Sequence, residues 1–376
     1  MRAIKESHML QPKGRKRMGY AHAVQADLFD PHPRESDKEE SAFGTINVKE
    51  ARLTPTPVFD AYWRFAAERQ EIFFRRHRRY NSPRLTDDPV LAEFKFTNAY
   101  RASDRVSQYL IREVIYNDAY SNDPSEVFFR IILFKIFNKI ETWDALVGEL
   151  GVPTWSEFSF DLYDRILSQR KADGLRNYSA AYIMPSAGRV FGHSLKHQNH
   201  LRLLEWMFAS DFPTKLSQCE TMEAAFRLLL SAPSIGAFLA YQYVTDFNYS
   251  ELTNFSEHEF VVAGPGALDG ISKCFAGRVD VPAETIIRHM YDNQDGYFGA
   301  LGLDFRSLWG RRLQLIDCQN LFCEISKYSR VAFPDIAGVS GRTRIKQRFN
   351  PKTNPPLPWY PPKWGLNASI RTDLNL

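Results

Sequence analysis

The chain has 376 residues, 44% of them hydrophobic and 14% aromatic, enough apolar material for one large core or two smaller ones, which excludes a disordered protein. Net charge is only +4, so a nucleic-acid partner is permitted but has to be argued from where the charges sit. Cys219, Cys274, Cys318 and Cys323 show no CxxC spacing, and the opening MRAIKESHML has no apolar signal core, which together point to a reduced, cytoplasmic setting.

Residues 1–54 are polar and charged, with a basic patch KGRKR, a Pro-His-Pro and an acidic run ESDKEES, and their lack of periodicity predicts a mobile tail. From Val58, VFDAYWRFAAERQEIFFRRHRRY places aromatic and aliphatic residues at helical spacing and predicts an amphipathic helix. Its basic end, Arg75, Arg76, Arg78 and Arg79, either complements the helix dipole or meets phosphates. Asn98, Arg101, Asp104 and Arg105 follow at spacings of three and four, which predicts one shared helical face, either a salt-bridge network or a set of donors reading a base edge. Asp123-Pro124-Ser125-Glu126 reads as a helix start, with an N-cap, a proline at the first position and an acid at the third. The run VFFRIILFKIF beyond it is apolar on nearly all sides and predicts the central core helix, with Lys135 and Asn138 as its polar exceptions. With Arg130 and Lys135 inside it, the same run is too short and too charged to cross a bilayer.

Several pieces of the chain carry a more specific signal: Thr86-Asp87-Asp88-Pro89, Phe96-Thr97-Asn98, Arg101 with Asp104-Arg105, Phe134-Lys135 with Phe137-Asn138, and Thr142-Trp143. They are joined downstream by Ala263-Gly264-Pro265-Gly266-Ala267, Asp317-Cys318-Gln319-Asn320, Phe322-Cys323-Glu324, Lys327-Tyr328 and Pro361-Pro362-Lys363-Trp364-Gly365-Leu366. In these the chain, from residue 58 almost to its end, resembles a helical family of phage DNA base hypermodification. That family is described as the 5-hydroxymethyl-uracil DNA kinase helical domain and as alpha-glutamyl/putrescinyl thymine pyrophosphorylases. The resemblance implies a DNA glycosylase type of fold, and the residues expected to line a pocket for a flipped base are Asn98, Arg101, Asp104, Arg105, Lys135 and Asn138.

Residues 151–230 read as helices around SEFSFDLYDRIL, SLKHQNHLRLLEWMF and TMEAAFRLLLS, separated by Pro and Gly loops. His193, His197 and His200 have metal-compatible spacing, but no carboxylate or cysteine completes the set and Glu205 is merely near, so structural histidines and no metal are expected. Between Leu228 and Phe275 an apolar helical run breaks at Ala232-Pro233-Ser234-Ile235-Gly236, restarts, and is followed by what reads as a Gly264-Pro265-Gly266 turn. Gly236 is expected to take a backbone conformation that other residues resist. Such a turn is either a plain hairpin of the core or a place where N–H groups at a helix start hold a DNA phosphate.

This segment resembles the helix-hairpin-helix of the DNA glycosylase superfamily, whose hairpin reads Leu-Pro-Gly-Val-Gly; here Ala232 replaces the leucine and Ser234 the first glycine. The resemblance implies an all-α, helix-hairpin-helix, glycosylase-like domain over residues 55–330. DNA would lie on Pro233, Ser234 and Gly236, with Gly264 and Gly266 beside them. A catalytic carboxylate about twenty residues after the hairpin implies Glu259, with Asp246 as the other acidic candidate. Superfamily members that cut the backbone carry a lysine two residues after the last hairpin glycine; Phe238 stands there, so lyase chemistry is not implied.

Thr285 to Tyr328 supplies further helices, with Asp317, Asn320, Glu324 and Lys327 at helical spacing. Residues 331–376 hold seven basic residues against two acidic ones and many prolines. This predicts a tail packed on the domain, with Arg342, Arg344 and Lys346 on DNA and Trp359, Tyr360 and Trp364 either stacking on nucleic acid or covering the core.

No GxxxxGK[ST] loop is present, so the nucleotide kinase module that this helical family accompanies is not expected on this chain, and no cofactor is. The leading expectation is a monofunctional DNA glycosylase that flips and excises a modified pyrimidine from double-stranded DNA, serving antiphage defence, with Glu259 or Asp246 stabilising the oxocarbenium-like sugar. The second is a transferase that replaces an activating group on a 5-hydroxymethyl pyrimidine with an amine. The third is a non-catalytic DNA-binding module.

Overall fold

The computed structural model describes residues 40–77, 85–350 and 355–373. The basic patch KGRKR, the Pro-His-Pro, and Arg78 and Arg79 lie outside the described residues. Ten helices of nine or more residues occur among the described residues: α1 (Pro57–His77), α2 (Pro124–Phe137), α3 (Ile140–Leu150), α4 (Phe160–Ala172), α5 (Lys196–Ala209), α6 (Met222–Leu230), α7 (Ala237–Phe247), α8 (Pro265–Cys274), α9 (Ala283–Ala300) and α10 (Leu315–Ala332). None of the helices among the described residues is long and apolar enough to cross a membrane. All four cysteines are free thiols.

The fold is mainly but not wholly α. Strands β1 (Ile46–Val48), β2 (Ala51–Pro55) and β3 (Phe275–Ala276) form a small antiparallel sheet in that order, with Ile46 opposite Leu53 and Pro55 opposite Phe275. This corrects the boundary expected at residue 54, because residues 46–54 belong to the folded body. Val48 and Leu53 are buried, and the alternation that puts them inside is too brief to register as a period in the sequence.

Helix α2 is the central helix, and its start is built as the sequence predicts. The Asp123 carboxylate accepts the N–H groups of Ser125 (2.9 Å) and Glu126 (3.3 Å), and Pro124 occupies the first turn. Glu126 turns outward and accepts Trp155 N–H. Every residue from Val127 to Phe137 is buried, and Phe128 stacks on Phe247 of α7 at 4.9 Å. The helix ends at Asn138, whose φ of +48° is in the left-handed region that asparagine tolerates.

Gly264-Pro265-Gly266 is the start of α8 rather than a turn, with Gly264 as the N-cap and Pro265 in the first turn. The glycines here serve packing. A Cβ on Gly264 would lie 2.8 Å from the Phe238 ring, one on Gly266 3.0 Å from Cys323 Sγ, and one on Gly270 would overlap the Phe322 carbonyl. Gly264 admits the Phe238 ring of α7, and Gly266 and Gly270 let α8 press against α10.

Residues 355–373 cover the body. Tyr360 is fully buried with its hydroxyl 2.7 Å from Ser103 Oγ, Trp359 N–H donates to Gln108 Oε1, and Lys363 Nζ donates to the carbonyls of Ser250 and Thr253. Tyr360 and Trp364 stack on each other, so these aromatics take the core-covering role of the two foreseen. His197 pairs with Asp164 at 2.8 Å, His200 lies between the Tyr178 hydroxyl and the Pro185 carbonyl, and His193 packs its ring against Phe160.

Candidate functional site

Helices α6 and α7 form a hairpin through residues 231–236, in which Ala232 and Ile235 are buried. The unusual backbone conformation falls on Ser234, with φ of +63°, and not on Gly236, which is extended at φ −85° and caps α7. Ser234 occupies the slot where the hairpin it resembles has its first glycine, so the turn geometry there is imposed by the flanking helices despite the side chain.

Helix α7 then carries two polar groups into an apolar interior, Gln242 and Asp246, both fully buried. They meet Arg101, itself 2% exposed, from the far end of the chain. Arg101 Nη1 donates to Asp246 Oδ1 (2.8 Å) and to the Tyr249 hydroxyl (2.9 Å), and Nε donates to Gln242 Oε1 (3.0 Å). Lys135 of α2 sits 3.1 Å from the other carboxylate oxygen, Asp246 Oδ2, a charge contact rather than a directed hydrogen bond, while its Nζ donates to Asn138 Oδ1 (2.7 Å). Two cations therefore share one carboxylate in a site that water scarcely reaches.

Burial pulls the Arg101 pKa down, but Asp246, then Tyr249 and Tyr182, push it up, and the net result is well above the ordinary value. For Lys135 burial wins: its pKa is lowered, with Asp246 offsetting part of the fall and the Arg101 charge adding to it. Within this cluster the buried Gln242 Nε2 has no hydrogen-bond partner among the described residues.

Above Lys135 lies the Tyr182 ring, its centroid 5.1 Å from Nζ, stacked nearly parallel on Phe238 of the first turn of α7. Asp104 N–H donates to the Arg101 carbonyl (3.2 Å), which keeps Asp104 next to the same cluster.

Asn98, Arg101, Asp104 and Arg105 do not share a helical face. The chain runs irregularly to Tyr100, makes a 3₁₀ turn at Arg101–Ser103, and starts a short helix at Arg105–Tyr109, so Asn98 is not on it and the i, i+3 geometry fails. Asn98 and Asp104 still meet, through the Asn98 N–H on Asp104 Oδ1 (2.8 Å), and Arg69 donates to Asn98 Oδ1. Asp104 occupies the N-cap position of that short helix yet does not cap it. Some of its surface faces solvent, but packing around the carboxyl raises its pKa to about 7, with the Asn98 N–H opposing and Glu324 adding. Arg105 is exposed and outside the cluster.

Glu259 is also outside. It is exposed, the Arg288 guanidinium meets its carbonyl and not its carboxylate, and no contact among the described residues ties it to Arg101 or Lys135. Its neighbour Glu257 pairs with Arg311 at 2.7 Å. Arg342, Arg344 and Lys346 are exposed on the irregular stretch after α10, and Pro233 and Ser234 are partly covered at the hairpin turn.

The structure thus gathers Arg101, Lys135, Asn138 and Asp246, sets Asn98 and Asp104 beside them, and leaves Arg105 and Glu259 apart. Sequence reasoning missed Gln242, Tyr249 and Tyr182. A glutamine and an aspartate four residues apart inside the otherwise apolar AFLAYQYVTDF was the available signal for Gln242. Asp317 gains a definite role: it accepts Arg101 N–H (2.8 Å) and Gln314 N–H (2.9 Å), fixing the turn that aims Arg101. Burial raises its pKa to about 6.

A family model described as "5-hmdU DNA kinase, helical domain" matches residues 56–338. A curated protein of Bacillus phage SP10 named "5-hmdU DNA kinase" is 27% identical over 301 residues, covering 75% of this chain and 46% of that protein, so the chain spans less than half the relative's length. No solved structure matches. These findings overturn the expectation of a glycosylase in antiphage defence. The matching names are those of a kinase, which transfers a group to a modified base and does not hydrolyse a glycosidic bond. The roles given to Glu259 and Asp246 in excision fall with it.

Proposed function

Because the chain belongs to the 5-hmdU DNA kinase helical-domain family, we propose that it is a transferase of DNA base hypermodification, replacing an activating group on a 5-hydroxymethyl pyrimidine in DNA with an amine. The observation that carries this is the pair Arg101 and Lys135 sharing the single carboxylate of Asp246. With both cations protonated, Arg101, Lys135 and Asp246 together hold one surplus positive charge, which suits a phosphate or pyrophosphate ester on the base's methylene. In the reaction the amine nitrogen bonds to the methylene carbon while the carbon–oxygen bond breaks, and the phosphate or pyrophosphate leaves with the electron pair. Arg101 and Lys135 stabilise the charge of the departing anion, and Asp104, with its carboxyl pKa near 7, takes the proton that the amine loses. The hairpin of α6 and α7 is read as a helix-hairpin-helix that holds the DNA backbone, with Arg342, Arg344 and Lys346 on neighbouring phosphates.

The relative's name favours a second reading, direct phosphorylation of 5-hydroxymethyl-uracil in DNA. Against it, the 376 residues contain no GxxxxGK[ST] loop and match less than half of that kinase.

Both are tested with the purified chain and duplexes carrying 5-hydroxymethyl-uracil, free or as its phosphate and pyrophosphate esters, followed by digestion and mass analysis of the nucleosides. An amine adduct formed only from an ester, and lost in Lys135→Met, supports the transferase. A phosphate ester formed from ATP and the free alcohol favours the kinase, and no product from any duplex sinks both.

A further inference from the structure

Lys135 is 3% exposed, so no part of a DNA base reaches it in the arrangement seen. What covers it is Tyr182, from the segment between α4 and α5. The Tyr182 ring is nearly parallel to Phe238, with centroids 5.7 Å apart and planes 7° apart. Tyr182 is only partly buried, and its hydroxyl makes no hydrogen bond among the described residues. Its backbone is in the left-handed region at φ +55°, unfavourable for a bulky residue, and its neighbour Ile183 is 72% exposed. A strained tyrosine at the edge of the core, with no hydrogen bond of its side chain to hold it, is poised to leave.

Phe238, by contrast, is fixed. It lies in the first turn of α7, packed so closely on Gly264 that a Cβ there would come within 2.8 Å of its ring. The Phe238 face is therefore a permanent platform, and the tyrosine ring on it is about the size of a pyrimidine. Next to the tyrosine ring lies Lys135, which is joined through Asp246 to Arg101.

We infer that Tyr182 is a placeholder for the flipped pyrimidine: the base displaces the tyrosine, stacks on Phe238, and turns its 5-methylene substituent toward Lys135 and Arg101. This rests on the function proposed above and names the two residues that receive the base. Stacking of a base on an aromatic side chain contributes about 1–3 kcal/mol, roughly five- to 150-fold in affinity, so removing the platform and removing the plug act in opposite directions. Removing the plug raises apparent affinity by the reciprocal of the fraction of molecules that were open.

The experiment is equilibrium binding of the full chain, by fluorescence anisotropy, to duplexes holding one A paired with the phosphate ester of 5-hydroxymethyl-uracil, one T·A pair or one G·T mismatch. Tyr182→Ala should bind the ester and mismatch duplexes severalfold more tightly than the parent. Phe238→Ala and Phe238→Leu should bind them about tenfold more weakly, and Phe238→Tyr should bind like the parent. Phe238→Leu keeps apolar volume, so its weakness with an unchanged melting temperature separates lost stacking from lost folding. Weaker binding by Tyr182→Ala would overturn the inference, as would unchanged binding by both Phe238→Ala and Phe238→Leu. A parent that does not prefer esterified 5-hydroxymethyl-uracil over thymine fails the functional reading alone, since the mismatch still offers an easily flipped pyrimidine on which the variants are compared.

Discussion

Arg101 Nη1 donates to Asp246 Oδ1 at 2.8 Å across 145 residues of sequence, and the same carboxylate faces Lys135 through its other oxygen. Both cations were taken out of water on the strength of one anion. Removing that anion leaves two buried charges facing each other, whereas removing Lys135 leaves a complete Arg101–Asp246 pair.

Asp246→Ala should therefore destabilise the fold by about 3–5 kcal/mol, and Lys135→Met by clearly less, because only the first leaves an uncompensated buried charge. Urea denaturation of the two variants measures this. Equal losses would mean that the carboxylate does not anchor both cations.

The proposed amine transfer needs Asp104 deprotonated and Lys135 protonated. Burial raises Asp104 to about 7 and lowers Lys135, so the rate should climb through pH 7 and fall again at a pH below the ordinary lysine value. Asp104→Asn should lose roughly 100-fold or more in rate and with it the rising limb. Its effect on stability has the opposite sign. A carboxyl with a raised folded pKa favours folding below its unfolded value and loses that contribution as pH rises through about 7, so Asp104→Asn should be less sensitive than the parent to a shift from pH 6 to pH 8. Rate profiles and melts over that range test both halves.

How much of this was legible in the sequence depends on how far apart the cooperating residues lie. Helix α2 was readable because Asp123, Pro124 and the apolar run are contiguous, and the cap hydrogen bonds are local. The α6–α7 hairpin was readable for the same reason, although the strained residue proved to be Ser234, since tertiary packing rather than residue preference sets the turn. The Asn98–Asp104 pair was misplaced on one helix face because nothing local announces the 3₁₀ turn at Arg101, which Asp317 holds from 216 residues away. Gly264 and Gly266 look in sequence like a flexible turn, and only the nearness of Phe238 and Cys323 shows them to be packing residues. Tyr182 carried no signal at all, since its position depends on contacts with two separate helices.

His200 is buried between Tyr178 and the Pro185 carbonyl, and burial lowers its pKa to about 4. A histidine with a depressed folded pKa contributes stability above its unfolded value near 6.5, and that contribution is lost as pH falls through about 4. The parent should lose stability between pH 6.5 and pH 4, and His200→Gln should lose less over that interval. Melting temperatures across it decide the matter, and parallel curves would rule His200 out as a source of the acid sensitivity.

Gly270 lies where α8 crosses α10, with the Phe322 carbonyl in the space that a Cβ would take. Because the obstacle is backbone, no side-chain rotation relieves it. Gly270→Ala should destabilise by about 1–3 kcal/mol or more, although alanine is the better helix former by about 1 kcal/mol. Thermal unfolding of the variant checks the sign, and a gain in stability would show that the two helices move apart at little cost.

Arg342, Arg344 and Lys346 are exposed cations on an extended stretch, and their substitution disturbs no core contact. If they meet phosphates, changing all three to Gln should weaken binding to any duplex, modified or not. It should also reduce the slope of log affinity against log salt by about 0.9 for each contact removed, up to nearly three. The melting temperature should stay within a degree or two of the parent's, since exposed charges contribute little to stability. A contrasting outcome is expected for Tyr360→Ala a few residues on, where the ring is fully buried and bonded to Ser103. That variant should lose about 3–5 kcal/mol of stability while keeping the parent's salt slope. The two variants together separate the DNA-contacting part of the C-terminal segment from the part that covers the core. An unchanged salt slope in the triple variant would remove these residues from the DNA interface.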